Sequence, residues 1–280
     1  MNKPTTIRVA LLDLYEGQVN EGMRCIRDIL QQYSKANNIN LVCKEFDVRQ
    51  KYQLPGLHHD VYISSGGPGS PLITGHEWER LYFEWIYELE QYNRSEQRPK
   101  KHVYFICHSF QLAVQYFRIA KVTKRKSTAF GVFPIHMQLN SKEEAIFNGL
   151  HDPFYAVDSR NYQVVKPDHE QMQKKGAVIL AIEKERPHVP LERAIMGIRF
   201  NDYMVGTQFH PEADAPGMSR YLQREDKKQM VIKNHGFEKW QSMIEHLNDP
   251  DKILFTYSHI LPNFLDMAIE ATKGGVNRQS

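Results

Sequence analysis

Cys107, His210 and Glu212 are the residues whose types and spacing could do covalent chemistry together. Cys107 follows the apolar run Val103-Tyr104-Phe105-Ile106 and precedes His108-Ser109-Phe110-Gln111, which reads as a helix start. That pattern mounts a nucleophile on a sharp strand-to-helix turn. A free thiol is mostly protonated at neutral pH and becomes a strong nucleophile when an imidazole takes its proton. A carboxylate that holds the imidazole's tautomer completes such a set. His210 and Glu212 stand two apart at the end of an apolar stretch, so in an extended strand they point to one side. Pro211 between them stiffens the pair and ends the ladder. Upstream lies Ser65-Gly66-Gly67-Pro68-Gly69. Acyl chemistry needs donors for a developing oxyanion, and the backbone N–H groups of Gly67 and His108 are the expected pair. Gly66 and Gly67, without side chains, let a substrate approach the backbone closely.

None of these elements is specific alone. A cysteine in a strand is usually structural, a Gly-Gly-Pro-Gly loop is usually only a turn, and His-Pro-Glu can close a strand with a surface carboxylate. Their order and context together carry the catalytic expectation. The glycine loop lacks the Gly-Lys-Ser/Thr ending of a phosphate-binding P-loop. The cysteines and histidines, His58-His59 included, lack the spacing of a metal site.

The elements that must position these residues read as an alternation. Ile7–Asp13 is a buried first strand. Asn20 caps a helix running to about Ser34, with Val19, Met23, Ile26, Leu30 and Tyr33 on one face. Asn40–Asp47 and Val61–Ser64 are strands, and the second runs straight into the glycine loop. Glu77 to about Tyr92 is a helix burying Trp78, Leu81, Tyr82, Trp85, Ile86 and Leu89. His102–Ile106 leads to Cys107, and Ser109–Ala120 is the helix after it. This order predicts parallel pairing in an α/β layer fold. Beyond residue 126 the pattern changes to strands over Thr128–Leu139, Phe154–Val165, Ala177–Glu183, Ala194–Phe200 and Met204–Phe209. Asn201-Asp202 suits a hairpin turn, so this half should add antiparallel strands to a mixed sheet. Residues 1–215 form the expected domain, and 216–280 a helical C-terminal extension packed on it, with periodicity near Trp240, Met243, Ile244 and Leu247 and an apolar helix over Ile253–Ala271. The tail Lys273–Ser280 reads as loose.

Composition narrows the classes. The chain has 280 residues, 41% apolar and 25% charged, as in an ordinary globular protein. Thirty-six Lys and Arg against thirty-three Asp and Glu leave a net charge of +3, which is no nucleic-acid footprint. The densest basic run, Lys121–Lys126, is expected in a solvated loop after a helix. Three cysteines, at 25, 43 and 107, make no disulfide framework; Cys25 and Cys43 read as packed structural thiols. Ile7–Leu14 is too short and too charged for a signal peptide, and no run has the length of a membrane span. The expectation is a cytoplasmic protein.

Taken together, the motifs resemble the class I glutamine amidotransferase superfamily. Its Gly-Pro-Gly oxyanion loop is matched by Gly66-Gly67-Pro68-Gly69, its cysteine elbow by Phe105 to Gln111, and its terminal motif by His210-Pro211-Glu212. The resemblance spans roughly residues 5 to 215 and implies a flavodoxin-like α/β fold with a mixed, mostly parallel sheet. It implies that Cys107 forms a γ-glutamyl thioester, His210 shuttles protons and Glu212 orients it. It further implies that Gln111 binds glutamine and that Ser159, Arg160 and Tyr162 line the substrate pocket. No cofactor is implied. The implied partners are a small molecule, glutamine or a γ-glutamyl compound, and a separate synthase subunit that receives ammonia. Two departures stand out: Phe105 and Ser109 replace the family's elbow glycines. The middle of the chain, Phe130–Pro134, Asn148–Leu150 and Asp158–Tyr162, is similar to homoserine O-succinyltransferases and acetyltransferases. Acyl transfer from acyl-CoA is therefore the alternative reaction, and a non-catalytic module of the same fold the third reading.

Overall fold

The computed structural model describes residues 6–188, 190–247 and 249–276. In chain order the elements are β1 (Thr6–Asp13), α1 (Glu21–Asn37), β2 (Asn40–Asp47), β3 (Val61–Ser64), α2 (Glu77–Arg94), β4 (His102–Ile106) and α3 (His108–Phe117). There follow β5 (Lys121–Met137), β6 (Phe154–Val165), α4 (His169–Lys175), β7 (Val178–Glu183), β8 (Ile195–Asn201) and β9 (Met204–Thr207). Four helices end the described chain: α5 (Ala215–Gln223), α6 (Glu225–His235), α7 (Phe237–Leu247) and α8 (Pro250–Val276). The strands form one sheet in the order β2-β1-β3-β4-β9-β8-β7-β5-β6. From β2 to β9 every pairing is parallel, and from β9 to β6 every pairing is antiparallel. The sequence expectation of a parallel half joined to an antiparallel half holds.

The inner parallel strands β1, β3, β4 and β9 are covered on both sides, which is why they read as continuous apolar runs. Alternation sorts them: Tyr104 and Ile106 join one core cluster, Val103 and Phe105 the other. The first cluster also takes Met23, Ile26 and Leu30 of α1; the second takes Tyr82, Trp85 and Ile86 of α2. Asn20 caps α1 as expected, its side chain accepting from the Met23 N–H at 2.9 Å. Helix α8 enters the first cluster with Ile260, Leu261, Phe264 and Leu265, beside Ile7 and Val9 of β1.

Several local expectations change. Val19 precedes the cap of α1 and is almost fully exposed, so it is no part of the helix stripe. Leu81 is only half-buried on α2. The basic run Lys121–Lys126 is the start of β5, where Lys121 to Lys124 pair with Val165 to Tyr162. A bulge between Lys124 and Ala129 lets Arg125 turn to Gln163 and Glu183 instead of solvent. Cys43 is exposed because β2 is an edge strand. Of the tail expected to be loose, Lys273–Val276 belongs to α8 and 277–280 lie outside the described residues.

The sheet order positions the chemistry. β1, β3, β4 and β9 are neighbours whose carboxyl ends share one edge. Tyr15, the glycine loop, Cys107 and His210 all follow directly from those ends. Ligand sites of open parallel sheets gather there.

Candidate active site

Cys107 occupies the turn between β4 and α3 with φ 49° and ψ −94°. A non-glycine residue held at such angles stores roughly 1–3 kcal/mol of strain. Neighbouring bonds hold it in place: the Cys107 N–H donates to Thr207 O at 2.8 Å, and the Gln111 N–H donates to Cys107 O at 3.0 Å. The two residues that replace elbow glycines are accommodated in different ways. Ser109 Oγ accepts from the Ile106 N–H at 2.8 Å and lies 2.8 Å from Ser64 O, to which it donates, so it ties the elbow to the end of β3. Phe105 turns into the other core cluster and meets Phe200 edge-on at 5.8 Å. Room for it comes from Gly206, its register partner on β9. A Cβ at Gly206 would lie 2.8 Å from Phe105 O and 2.9 Å from Phe105 Cβ.

His210 is fixed by β6, whose Val157 carbonyl accepts the His210 N–H at 2.8 Å. The curl of the sheet thus brings β6 back over the end of β9. His210 Nδ1–H donates to Glu212 Oε1 at 2.8 Å, and Glu212 is buried. With its proton on Nδ1, the ring keeps Nε2 for the sulfur. Burial alone would lower the His210 pKa; Glu212 and the hydrogen-bonded Cys107 outweigh it and hold it well above the ordinary value. Gly66 lies against this pair: a Cβ there would come within 2.9 Å of His210 Cε1 and 3.7 Å of Cys107 Cβ. Gly67 packs on the residue that follows β1, where a Cβ would meet Leu14 O at 2.6 Å.

A cavity of about 650 Å³ opens over the sulfur, lined by Tyr15, Gly67, Pro68, Cys107, Ser159 and His210 among others. The structure brings together Cys107, His210, Glu212, Gly66, Gly67 and Ser159 from the residues singled out in the sequence. Ser159 meets the sulfur through its backbone, its carbonyl accepting from the Cys107 thiol at 3.8 Å. His108 begins α3 and its ring is buried among protein groups; burial, then the charge of Arg49, pushes its pKa down to about 3. That ring stays neutral at neutral pH. Gln111, Arg160 and Tyr162 turn away from the cavity. Gln111 is buried and donates from Nε2 to Gln208 Oε1 at 2.8 Å. Arg160 is buried in an ion pair with Asp158 at 2.9 Å and reaches Glu183 at 3.4 Å. Tyr162 lies farther along β6, opposite Lys124. Arg160 alternates away from Ser159 along β6 and Tyr162 lies beyond it, while Gln111 sits in the first turn of α3 and turns to Gln208.

Sequence reasoning passed over Tyr15 and Gln208. Tyr15 is held over the cavity by its own backbone turn, its N–H donating to Asp13 Oδ1 at 2.7 Å. Its hydroxyl lies over Gly22, where a Cβ would approach to 2.2 Å. Burial, then the nearby Glu212 and Cys107, hold its pKa well above the ordinary value, so it is a neutral phenol. The signal was its place just after β1, on the same sheet edge as the other site segments. The far wall comes from α5, with Met218 and Tyr221, which sequence reasoning assigned only to a packed extension. Among the described residues no cluster of three His, Cys, Asp or Glu side chains could hold a metal ion. No described helix is long and apolar enough to cross a membrane.

Comparison with known proteins agrees with this fold. The family model for Glutamine amidotransferase class-I matches residues 20–228. A search of the curated proteins finds no match. Among solved structures the chain is similar to a glutamine amidotransferase from Thermotoga maritima, at 15% identity and a TM-score of 0.66, covering 94% of this chain and 98% of that one. It is similar to a glutamine amidotransferase from Methylobacillus flagellatus at 14% identity and a TM-score of 0.64, covering 96% of each chain. It also resembles the CTPS glutaminase domain of Trypanosoma brucei, solved with bound acivicin, at 13% identity and a TM-score of 0.57 over 94% of each chain. At such identities the structural likeness speaks to fold, and the match over residues 20–228 speaks to descent. The chain belongs to the class I glutamine amidotransferase family.

Proposed function

We propose that this chain is a cysteine-dependent glutamine amidotransferase or amidohydrolase acting on the side-chain amide of glutamine or on a γ-glutamyl bond. The observation that carries the reading is the strained Cys107 turn facing a His210 whose other nitrogen is held by buried Glu212. In the first step the Cys107 proton passes to His210 Nε2 and the sulfur attacks the amide carbon. The developing oxyanion is met by backbone N–H groups of Gly67 and His108. His210 returns the proton to the leaving nitrogen, ammonia or amine departs, and a γ-glutamyl thioester remains. Water then gives a proton to His210 and attacks the thioester, releasing glutamate and restoring the thiol. Glu212 stabilises the imidazolium in both halves. In an amidotransferase the ammonia goes to a separate synthase subunit; in an amidohydrolase it is released to solvent.

Cys107→Ala should abolish ammonia release from glutamine, and undiminished release would rule the mechanism out. Acyl-CoA donors tested in parallel separate the competing reaction. An acyl adduct on Cys107 without ammonia release from glutamine would favour a transferase.

A further inference from the structure

We propose that Gln208 is a catalytic hydrogen-bond donor to the Cys107 sulfur and that Gln111 is the positioning residue that aims it. Gln208 is fully buried between β9 and His210. Its Nε2 lies 3.6 Å from Cys107 Sγ. Its Oε1 accepts from Gln111 Nε2 at 2.8 Å. That second bond sets the two amides together, Gln111 Nε2 donating to Gln208 Oε1 while Gln208 Nε2 faces the sulfur. With Oε1 taken up by a donor, an N–H is left to face Cys107. One end of the link is anchored at the elbow and the other on β8. The Gln111 N–H donates to Cys107 O at 3.0 Å, and the Gln208 N–H donates to Met196 O of β8 at 2.9 Å. This inference rests on reading Cys107 as the nucleophile.

An amide N–H bonds a thiolate more strongly than a thiol, because charge on the acceptor strengthens the bond. When the Cys107 proton moves to His210 Nε2, negative charge appears on a sulfur that is largely shut off from water. Gln208 supplies a donor already aimed at it, with no reorganisation needed. The Ser159 carbonyl does the opposite, accepting from the protonated thiol and offering the thiolate nothing. The other ionisable groups facing the sulfur are His210 and Glu212, from the segment after β9, and Tyr15, from the loop after β1. His210 as imidazolium favours the thiolate, the Glu212 carboxylate opposes it and Tyr15 is neutral; His108, next along the chain, is also neutral.

The test is the pH dependence of iodoacetamide alkylation, read cysteine by cysteine by peptide mass. Exposed Cys43 is the internal standard, and buried Cys25 reports whether the fold has opened. Gln208→Met keeps the length and removes the N–H. It should raise the apparent Cys107 pKa by about one unit, or roughly tenfold less thiolate below the wild-type value, because one pKa unit is a tenfold change in that ratio. The Cys43 profile should not move. Gln208→Glu puts a carboxylate beside the sulfur and should shift it further in the same direction. Gln111→Met leaves Gln208 in place but unaimed and should give a smaller upward shift. A Gln208→Met profile that superimposes on wild type, with Cys25 still protected, overturns the proposal. If Gln208→Met exposes Cys25, Gln111→Met decides by the same criterion; exposure of Cys25 in both variants overturns it in favour of a packing role. A wild-type chain that releases no ammonia, while Gln208→Met still shifts the profile, sinks the amidotransferase reading and leaves this inference standing.

Discussion

At the scale of single residues, the site depends on two missing side chains as much as on three present ones. Gly66 and Gly67 adjoin, yet a methyl group would do different damage at each. At Gly66 it would press on His210 Cε1 at 2.9 Å, the edge of a ring that must stay aligned. Gly66→Ala should therefore lower kcat by about 100-fold or more, as small misplacements of reacting groups do, with little change in melting temperature. At Gly67 it would meet the Leu14 carbonyl oxygen at 2.6 Å, which is backbone and cannot swing aside. Gly67→Ala should lower the melting temperature as well as the rate. Steady-state kinetics and thermal melts on the two variants separate the cases. Titration offers a second check. His102 and His108 are buried as neutral rings, their pKa values pushed down by burial to about 4 and about 3. The unfolded chain takes up protons at these sites near 6.5 and the folded one does not, so stability falls as pH drops from 6.5 towards 4. His210 acts in the other direction: its raised pKa contributes stability that is full below 6.5 and is lost as pH rises through the folded value. Urea midpoints should fall steadily between pH 6.5 and 4, and His102→Phe should flatten that fall. A wild-type midpoint that does not change over this range would contradict the assignment.

At the scale of elements, the elbow shows what was legible in the sequence and what was not. The apolar run ending at Cys107 announced a strand, and the glycine loop and His-Pro-Glu announced two more strand ends. Their pattern is local, so the sequence carried it. The accommodation of Phe105 is not local: it depends on Gly206, about a hundred residues away, being its register partner on β9. A bulky residue at the elbow looked like a departure when read alone and is one half of a matched pair when read across the sheet. Gly206→Ala should destabilise the fold by about 1–3 kcal/mol, the usual cost of overpacking. Phe105→Ala should cost about 3–5 kcal/mol by opening a void beside Phe200. Urea denaturation measures both, and a Gly206→Ala variant as stable as wild type would contradict the account. The basic start of β5 escaped notice for a related reason. Lys121–Lys126 has the composition of a loop, and only the partner strand β6 and the inward turn of Arg125 make it a strand. Cys43 went the other way, since nothing in its own run shows that β2 is an edge.

At the scale of the whole molecule, the cavity is closed by parts that are distant in sequence. Helix α1 and the chain entering α5 are joined by Arg24, which bonds Glu21 at 2.5 Å, Asp28 at 2.6 Å and Asp214 at 2.7 Å. Asp214 also caps α5, accepting from the Gly217 N–H at 2.7 Å. Glu21 is held in turn by Arg220 of α5. This lattice of charges sets the wall carrying Met218 and Tyr221 over the sulfur. Arg24→Gln leaves Asp214 with its cap but without its ion pair, so the wall should loosen while Cys107, His210 and Glu212 keep their places. The expected result is a several-fold rise in KM with kcat nearly unchanged; an equal fall in kcat with unchanged KM would place Arg24 elsewhere in the mechanism. No sequence pattern announces such a clamp, because its members lie 190 residues apart and each alone is an ordinary surface charge.

The central claim is that Cys107 carries the γ-glutamyl group during turnover. Its most direct test is the mass of the Cys107 peptide from a glutamine reaction quenched in acid. The account predicts an added γ-glutamyl group on Cys107 in the wild-type chain, no adduct on Cys25 or Cys43, and no ammonia release from Cys107→Ala. An unmodified Cys107 in a chain that still turns over glutamine, with Cys107→Ala equally active, would contradict it.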